Sequence, residues 1–146
     1  MCEFSLAKLT ADDRNDWQRL FQGYLDFYEM TWDEPAFDRA WSAFGRDEQV
    51  HVLGAKIDGR LVGITQFLEH ASTIGADVCY LQDLFTDPAT RGQGVATALI
   101  NAVVDVARAN GCNRVYWVTR ESNLTARRVY DNVAVNSGFI RYQIAI

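Results

Sequence analysis

The segment from Leu81 to Thr97 constrains the fold of this chain more than any other part of the sequence. Its first residues include the apolar Leu81, Leu84 and Phe85, as in a buried strand, and Asp87-Pro88 then breaks the strand before a glycine-rich turn leads into an amphipathic helix. A strand, a tight turn and a helix in this order bring free backbone N–H groups to the positive end of a helix dipole. The segment therefore predicts a site for a phosphate or pyrophosphate group.

Two well-known phosphate-binding loops do not fit this glycine-rich turn. A P-loop ends in Gly-Lys-Ser/Thr, whereas Gly94 is followed by Val95 and Ala96. A dinucleotide-binding loop needs a third glycine, where this chain has Thr97, and an acidic residue about twenty positions later, and Glu121 lies too far along the chain. The sequence therefore disfavours both a nucleotide triphosphatase and a nicotinamide-dependent oxidoreductase.

Further motifs follow the turn in a fixed order. The complete set is Arg91-x-x-Gly94-x-Ala96, Asn123, Ala126-Arg127-Arg128-Val129-Tyr130 and Gly138-Phe139. This set resembles the GNAT superfamily of acyl-CoA-dependent N-acetyltransferases, whose Arg/Gln-x-x-Gly-x-Gly/Ala loop binds the pyrophosphate of coenzyme A. The resemblance is strong from about Val78 to Phe139 and weaker in the N-terminal part. The chain departs from the family between Tyr130 and Gly138, where a longer connection implies a longer final helix.

The spacing of apolar residues predicts a single α/β domain over residues 1–146. A mixed, mostly antiparallel sheet is flanked by helices in the order β-α-α-β-β-β-α-β-α-β. The predicted strands are residues 4–9, 50–57, 60–69, 78–86, 114–119 and 139–146, and the predicted helices are residues 10 or 12 to 28, 35–44, 95–110 and one that begins at 122 or 123. The resemblance implies the same fold, with the strands at 78–86 and 114–119 splayed apart to admit the cofactor.

The resemblance implies that acetyl-CoA is the cofactor and that the loop, the strand before it and the last helix bind it. Backbone N–H groups at residues 92–97 would hold the pyrophosphate, and the strand at 84–86 would pair with the pantetheine arm. The N–H of Phe85 or its neighbour would then polarise the thioester carbonyl. Asn123 is explained equally well as a helix cap. The cofactor-binding candidates are Leu84, Phe85, Thr86, Arg91, Gly92, Gln93, Gly94, Val95, Ala96, Thr97, Asn123, Arg127 and Tyr130.

The transfer of an acetyl group to an amine requires a base and an acid, because an alkylammonium with a pKa of about 10.4 is almost fully protonated at neutral pH. The resemblance assigns the role of acid to Tyr130, whose alternative role is a core residue on an apolar helix face. Asp83 is the candidate base, since the adjacent Gln82 cannot titrate. Asp83 alternates with Leu81 and Phe85, so its direction is open, and a structural carboxylate is the alternative.

The junction of the first two helices carries aromatic and acidic residues that we predict to line the acceptor site together with Asp83. An aromatic ring beside a carboxylate suits an alkylammonium through cation–π contact and charge. The alternative is that aromatic residues at helical spacing belong to the core. Residues 1–60 hold twelve acidic and seven basic side chains, which indicates attraction for a cationic substrate or simply a solvated surface. The acceptor-site candidates are Phe27, Tyr28, Glu29, Trp32 and Asp83.

Composition argues against several other classes of function. A net charge of −5 without a basic face disfavours nucleic acid as a partner, and no apolar run is long enough to cross a membrane. Cys2, Cys79 and Cys112 lack the spacing of a metal site, so we expect no metal, and their odd number is typical of reduced thiols in a cytoplasmic protein. The apolar end at residues 139–146 and the resemblance favour a homodimer.

These features together predict an acetyl-CoA-dependent N-acetyltransferase that works by direct transfer, without a covalent enzyme intermediate. The expected acceptor is a small-molecule primary amine, such as a polyamine or diamine, or a lysine-like side chain. The alternative is a coenzyme A-binding regulatory module without turnover, whose loop would look the same. Release of free thiol with a panel of amines separates these two hypotheses.

Overall fold

The computed structural model describes residues 3–146, which form one sheet with two helices on each face. The strands are β1 (Ser5–Lys8), β2 (His51–Ile57), β3 (Arg60–His70), β4 (Val78–Thr86) and β5 (Val115–Tyr116), and the helices are α1 (Arg14–Phe27), α2 (Glu34–Arg46), α3 (Val95–Ala109) and α4 (Leu124–Val133). The strands lie in the order β1-β2-β3-β4-β5; the first four are antiparallel, and β5 runs parallel to β4. This arrangement confirms the predicted mixed, mostly antiparallel α/β fold.

One face of the sheet is covered by α1 and α2 through aromatic packing. α1 buries Trp17, Leu20, Phe21 and Leu25, which recur at the spacing of one helix face. The Trp17 ring meets Phe37 of α2 edge-on, with 6.1 Å between the ring centroids. Truncating such a buried aromatic side chain to alanine costs about 3–5 kcal/mol, so this layer contributes strongly to the stability of the N-terminal half.

The opposite face is covered by α3 and α4. α3 buries Val95, Leu99 and Val103 along the predicted stripe. Gly63 in β3 lets the first turn of this helix approach closely, since an added Cβ at Gly63 would lie 2.8 Å from Val95 Cγ1. The start of α3 is therefore held against the centre of the sheet, and the glycine-rich turn before it is held in the same place.

β4 contains a β-bulge at Gln82. Leu81 and Asp83 pair with consecutive residues of β3, so Gln82 has no partner there. A bulge adds one residue and changes which face the later side chains point to. Leu81 accordingly packs on the α3 side of the sheet, whereas Phe85 packs on the α1 side, although an even number of positions separates them.

β4 and β5 separate after two residue pairs. Cys79 pairs with Val115 and Tyr80 pairs with Tyr116, and β4 then continues to Thr86 without a second neighbour among the described residues. The predicted splay of these two strands is thus confirmed. It leaves a cleft between the end of β4 and the segment that leads from β5 to α4.

Near the C-terminus, one predicted strand is present but shorter than expected, and another prediction is wrong. The strand predicted at residues 114–119 is reduced to Val115–Tyr116, and the strand predicted at residues 139–146 does not form, because residues 134–146 belong to no helix or strand. A strand needs a neighbour with which to exchange backbone hydrogen bonds, and alternating side chains alone do not supply one. In this structure residues 139–146 pair with no strand of the described chain.

Two cysteines and four α-helices lie within the described residues. Cys79 is buried and Cys112 is half-buried, and both are free thiols; Cys2 lies outside the described residues. No helix within residues 3–146 has both the length and the apolar character of a membrane span. The same part of the chain groups no three His, Cys, Asp or Glu side chains that could hold a metal ion.

Candidate active site

The turn between β4 and α3 has the conformation that its glycines require. Gly92 and Gly94 have φ angles of 80° and 82°, in the left-handed region that favours glycine. A Cβ added at either position would meet no atom within 4 Å, so the space beside the turn is open. Asp87 anchors the near end, since its carboxylate accepts from Ala89 N at 3.0 Å and from Arg19 at 2.9 Å. The turn is thus fixed at β4 and open at its glycines.

The first turn of α3 presents unpaired donors to this open space. Gly94 precedes the helix, and among the described residues no side chain caps it. The N–H groups of Val95, Ala96 and Thr97 therefore have no partner within the helix. The side-chain oxygen of Gln93 is also buried without a partner in the described part of the chain. Free N–H groups, a helix dipole and an open cradle fit a pyrophosphate group.

The end of β4 leads from the turn into the cleft. Leu84, Phe85 and Thr86 pair with β3 on one side, and no strand of the described chain lies on their other side. Backbone groups at such an edge are able to pair with an extended ligand. The Arg91 guanidinium lies 5.6 Å from the centroid of the Phe85 ring, which holds a positive charge beside the same edge. Residues 84–97 therefore line one continuous path.

Asp83 lies on the α1 side of this path, at the end of a hydrogen-bonded chain. The buried Trp17 donates from Nε1 to Oε1 of Gln66 at 2.8 Å. Gln66 then donates from Nε2 to Oδ2 of Asp83 at 2.7 Å. The Tyr24 hydroxyl lies beside the same carboxylate. Because Trp17 donates to the amide oxygen of Gln66, the amide NH2 group must face Asp83, and the carboxylate is held in one orientation.

Burial changes the proton affinity of the groups around the cleft. Burial raises the pKa of Asp83, although Tyr24 and Gln66, which donate to its charged form, oppose the shift. Burial raises the pKa of Tyr24 as well, and the nearby Asp83 carboxylate adds to the rise. Burial raises the pKa of Tyr130 to about 12, with a contribution from Tyr28. At neutral pH the tyrosines are therefore proton donors, and Asp83 holds a proton more readily than an ordinary aspartate.

Tyr130 borders the cleft from the opposite side. It packs into the apolar cluster beneath α3, and its ring meets Trp117 at 5.3 Å between centroids. Tyr28, which follows the last residue of α1, is near enough to raise the pKa of Tyr130. The Arg120 guanidinium lies 5.0 Å from the centroid of the Tyr28 ring, which ties the segment after β5 to the same helix end. The packing role considered for Tyr130 is therefore observed, and its role as an acid stays a prediction.

The predicted acceptor residues do not all face the cleft. Tyr28 is half-buried and stacks near Tyr24, with 4.9 Å between ring centroids. Phe27 and Glu29 are exposed, and Glu29 has an unusual positive φ of 56°. Trp32 packs against the aromatic core of α1 and α2 and borders a groove on the surface of α2. Tyr28 and Asp83 are therefore the acceptor candidates that the structure brings together with Tyr130.

A family model described as the acetyltransferase (GNAT) family matches residues 17–133. The chain belongs to the GNAT family. It is 27% identical over 136 residues to the D-amino-acid N-acetyltransferase HPA3 of Saccharomyces cerevisiae, covering 90% of this chain and 84% of that protein. It is also 27% identical over 142 residues to the thialysine N-epsilon-acetyltransferase of Mus musculus, covering 89% of this chain and 82% of that protein. These relatives identify this GNAT chain as an N-acetyltransferase, which is an acyltransferase.

Solved structures show the same fold. The aminoglycoside N-acetyltransferase AAC(6')-Iy in complex with CoA superimposes with a TM-score of 0.87 at 17% identity, covering 99% of this chain and 96% of that chain. At this identity the likeness concerns the fold alone. GNAT structures of this shape thus include one that holds CoA.

Two predicted cofactor residues organise the segment before α4 of the GNAT chain. Asn123 caps the helix, since its Oδ1 accepts from Ala126 N at 3.4 Å, and its Nδ2 donates to Thr119 Oγ1 at 3.3 Å. Arg127 donates to the carbonyl oxygen of Glu121 at 2.8 Å. The capping role considered for Asn123 is therefore observed, and contact of either side chain with coenzyme A stays a prediction.

Sequence reasoning did not single out Tyr24 and Gln66 as site residues. The signal for Tyr24 is its spacing of four from Tyr28, which places both rings on one face of α1. The signal for Gln66 is a polar residue inside the apolar run of β3, because a buried amide needs a partner. Its partners on two other elements are not visible in a linear sequence.

Proposed function

We propose that this GNAT enzyme transfers the acetyl group of acetyl-CoA to a primary amine by direct attack of the amine on the thioester. The preferred acceptor is a polyamine, a diamine or a lysine-like side chain. The observation that supports the proposal is that an open glycine-rich turn before an uncapped helix directly follows the strand that carries Asp83, whose carboxylate is beside Tyr24. The relative from Mus musculus is named for the ε-amine of thialysine, an amine at the end of a side chain.

The cradle and the free edge of β4 bind the coenzyme. The N–H groups of residues 92–97 hold the pyrophosphate with help from Arg91, and residues 84–86 hold the pantetheine arm. Acetyl-CoA supplies the thioester that carries the acetyl group. The N–H of Phe85 or its neighbour donates to the thioester oxygen as negative charge develops there. Asn123 and Arg127 contribute from the start of α4.

Asp83 acts on the amine. Its carboxylate accepts a proton from the ammonium, directly or through a water molecule, while Gln66 and Tyr24 keep it in place. The raised pKa of Asp83 makes it a stronger base than an exposed aspartate. Its negative charge also favours a cationic substrate.

Tyr130 acts on the leaving group. Its hydroxyl is protonated at neutral pH, because burial raises its pKa to about 12, and it donates its proton to the departing sulfur. Neither described cysteine offers a nucleophile for a covalent route: burial raises the pKa of the Cys79 thiol to about 12, and burial also raises the pKa of Cys112. Direct transfer therefore fits these residues better than an acyl-enzyme.

The test is a screen of amines with acetyl-CoA that reports free thiol. We expect a higher kcat/KM for a diamine than for an isosteric neutral amine, because a cation near Asp83 gains about 1–4 kcal/mol at surface-like dielectric. Asp83→Asn lowers this ratio and the rate, whereas Asp105→Asn, at an exposed position on α3, changes neither. A ratio near one rejects the cationic acceptor, and CoA binding without thiol release from any amine supports the regulatory module.

A further inference from the structure

The Arg120 guanidinium lies beside the cleft and is held there by an aromatic ring. Arg120 is exposed, on the segment that leads from β5 to α4, and its guanidinium carbon lies 5.0 Å from the centroid of the Tyr28 ring. None of the ion pairs within residues 3–146 includes Arg120. Its positive charge is therefore available to a ligand.

The contact with Tyr28 restricts Arg120 without using its hydrogen-bond donors. The N–H groups of a guanidinium point outward in its plane, so a ring that faces the central carbon does not occupy them. These donors form a fork that matches the two oxygens of a carboxylate. Tyr28 thus holds in place a group that is suited to bind a carboxylate through two hydrogen bonds.

Tyr28 also links Arg120 to the proposed base. The rings of Tyr28 and Tyr24 lie 4.9 Å apart between centroids, and the Tyr24 hydroxyl lies beside the Asp83 carboxylate. Arg120 and Asp83 therefore lie at opposite ends of one row of side chains, with two tyrosine rings between them. A cation and a carboxylate arranged in this way suit a ligand that carries an ammonium group at one end and an anion at the other.

A second guanidinium adds positive charge on the same side of the cleft. Arg141 lies in the C-terminal tail, which we define as residues 139–146. It is near enough to Tyr80 to oppose the rise that burial causes in the pKa of that tyrosine, whereas the nearby Asp83 carboxylate adds to the rise. The acceptor side of the cleft thus combines the negative charge of Asp83 with the positive charges of Arg120 and Arg141.

We propose that Arg120 binds the carboxylate of the acceptor, and that the acceptor is a free basic amino acid whose side-chain amine faces Asp83. This inference rests on the proposed function and narrows its class of acceptors. A diamine offers no anion to Arg120, and a lysine residue within a protein has no free carboxylate at its own Cα. Acetyl transfer to the amine proceeds as in the proposed function, since Arg120 acts on binding and takes no proton.

Two lysine derivatives test the choice of acceptor. Nα-acetyl-lysine and Nα-acetyl-lysine amide carry the same ε-amine, have no free α-amine and differ in the carboxylate alone. We expect kcat/KM for thiol release from acetyl-CoA to be roughly tenfold higher for the acid than for the amide, mainly through a lower KM, because hydrogen bonds between charged groups have this strength. The ratio is expected to fall as salt is added, since Arg120 is exposed. Equal kcat/KM values for the acid and the amide overturn the role of Arg120, whereas the absence of thiol release with any amine rejects the proposed function as a whole.

Substitution of Arg120 then assigns the preference to this residue. Arg120→Gln is expected to bring the ratio of acid to amide close to one while kcat/KM for the amide stays unchanged, and Arg120→Glu is expected to reverse the preference. Arg46→Gln, at an exposed position at the end of α2, is the matched control and keeps the wild-type ratio. A ratio that Arg120→Gln leaves unchanged overturns the proposal.

Calorimetry with coenzyme A separates the two anions that Arg120 could bind, the carboxylate of the acceptor and a phosphate of the coenzyme. We expect Arg120→Gln to bind coenzyme A with the affinity of the wild-type chain. A loss of affinity for coenzyme A together with an unchanged ratio of acid to amide would assign Arg120 to the coenzyme and overturn the proposal.

Discussion

The two sides of β4 have opposite roles. Toward β3, the strand pairs at eight positions from Val78 to Thr86, and toward β5 it pairs at two. The paired side is backed by buried residues of β3, whereas the open side faces the glycine-rich turn and the cleft. One strand thus provides both rigidity and an open edge, because the hydrogen bonds of its two edges are separate.

Ile64→Ala tests the paired side and has the largest expected effect. Ile64 pairs with Phe85 and is almost fully buried, so its truncation is expected to lower the free energy of unfolding by about 2–5 kcal/mol. The affinity of the folded variant for coenzyme A is expected to change little. Chemical denaturation and calorimetry measure the two quantities. Ile74→Ala, at an exposed position, is the control, and an equal loss of stability there would contradict the assignment.

Gly94→Glu tests the open side at the glycine-rich turn. The substitution places a side chain and a negative charge at a residue with φ of 82°, where the pyrophosphate is proposed to lie. We expect the affinity for coenzyme A to fall roughly a hundredfold, which corresponds to about 2.7 kcal/mol. Calorimetry on the folded variant measures it. Gly45→Glu, in α2 with open space at its Cβ, is the matched control. An unchanged affinity for Gly94→Glu would place the coenzyme elsewhere.

Tyr130→Phe tests the proposed proton donor on the open side of β4. Loss of the hydroxyl is expected to lower kcat by roughly 10²-fold while the affinity for coenzyme A stays nearly constant. Steady-state kinetics and calorimetry separate the two effects. Tyr142→Phe, at an exposed position in the tail, removes the same group without this loss. A Tyr130→Phe enzyme with full kcat would leave the residue with its packing role alone.

Gln66→Leu tests whether a residue on the paired side of β4 changes the pKa of Asp83. Its expected effect on activity is smaller than those of the substitutions above. The hydrogen bond from Gln66 favours the charged form of Asp83, so its removal raises the pKa of that carboxyl further. Because the proposed base must be deprotonated, the acid limb of the kcat/KM profile is expected to move to higher pH. Gln49→Leu, at an exposed position, leaves the profile in place. A shift toward lower pH would reject Asp83 as the base.

The sequence predicts those parts of the molecule that depend on local chemistry. The glycines of the turn must adopt positive φ, and the stripe at Val95, Leu99 and Val103 specifies the buried face of α3, so both were accessible to sequence reasoning. The cap of α4 at Asn123 follows from the same kind of local rule. The separation of β4 from β5 came from the family resemblance, since no spacing encodes it.

Features that depend on distant partners escaped prediction. The direction of Asp83 is set by the bulge and by the chain from Trp17 through Gln66, which joins three elements. The aromatic residue Trp32 has the same helical spacing whether it packs into the core or lines a site, and the structure shows that it packs. Residues 139–146 have the alternating pattern of a strand, but a strand also needs a paired neighbour, and the structure pairs this segment with none of the described strands.

The bulge at Gln82 decides which layer of the molecule receives Asp83. Leu81 and Asp83 pair with consecutive residues of β3, so the bulge lets two residues that are two positions apart point to opposite faces. Deletion of Gln82 would remove the bulge and keep both directions, whereas regular pairing of Gln82 with β3 would turn Asp83 toward the apolar layer beneath α3. Among relatives, a single-residue gap at this position would therefore conserve the direction of the carboxylate.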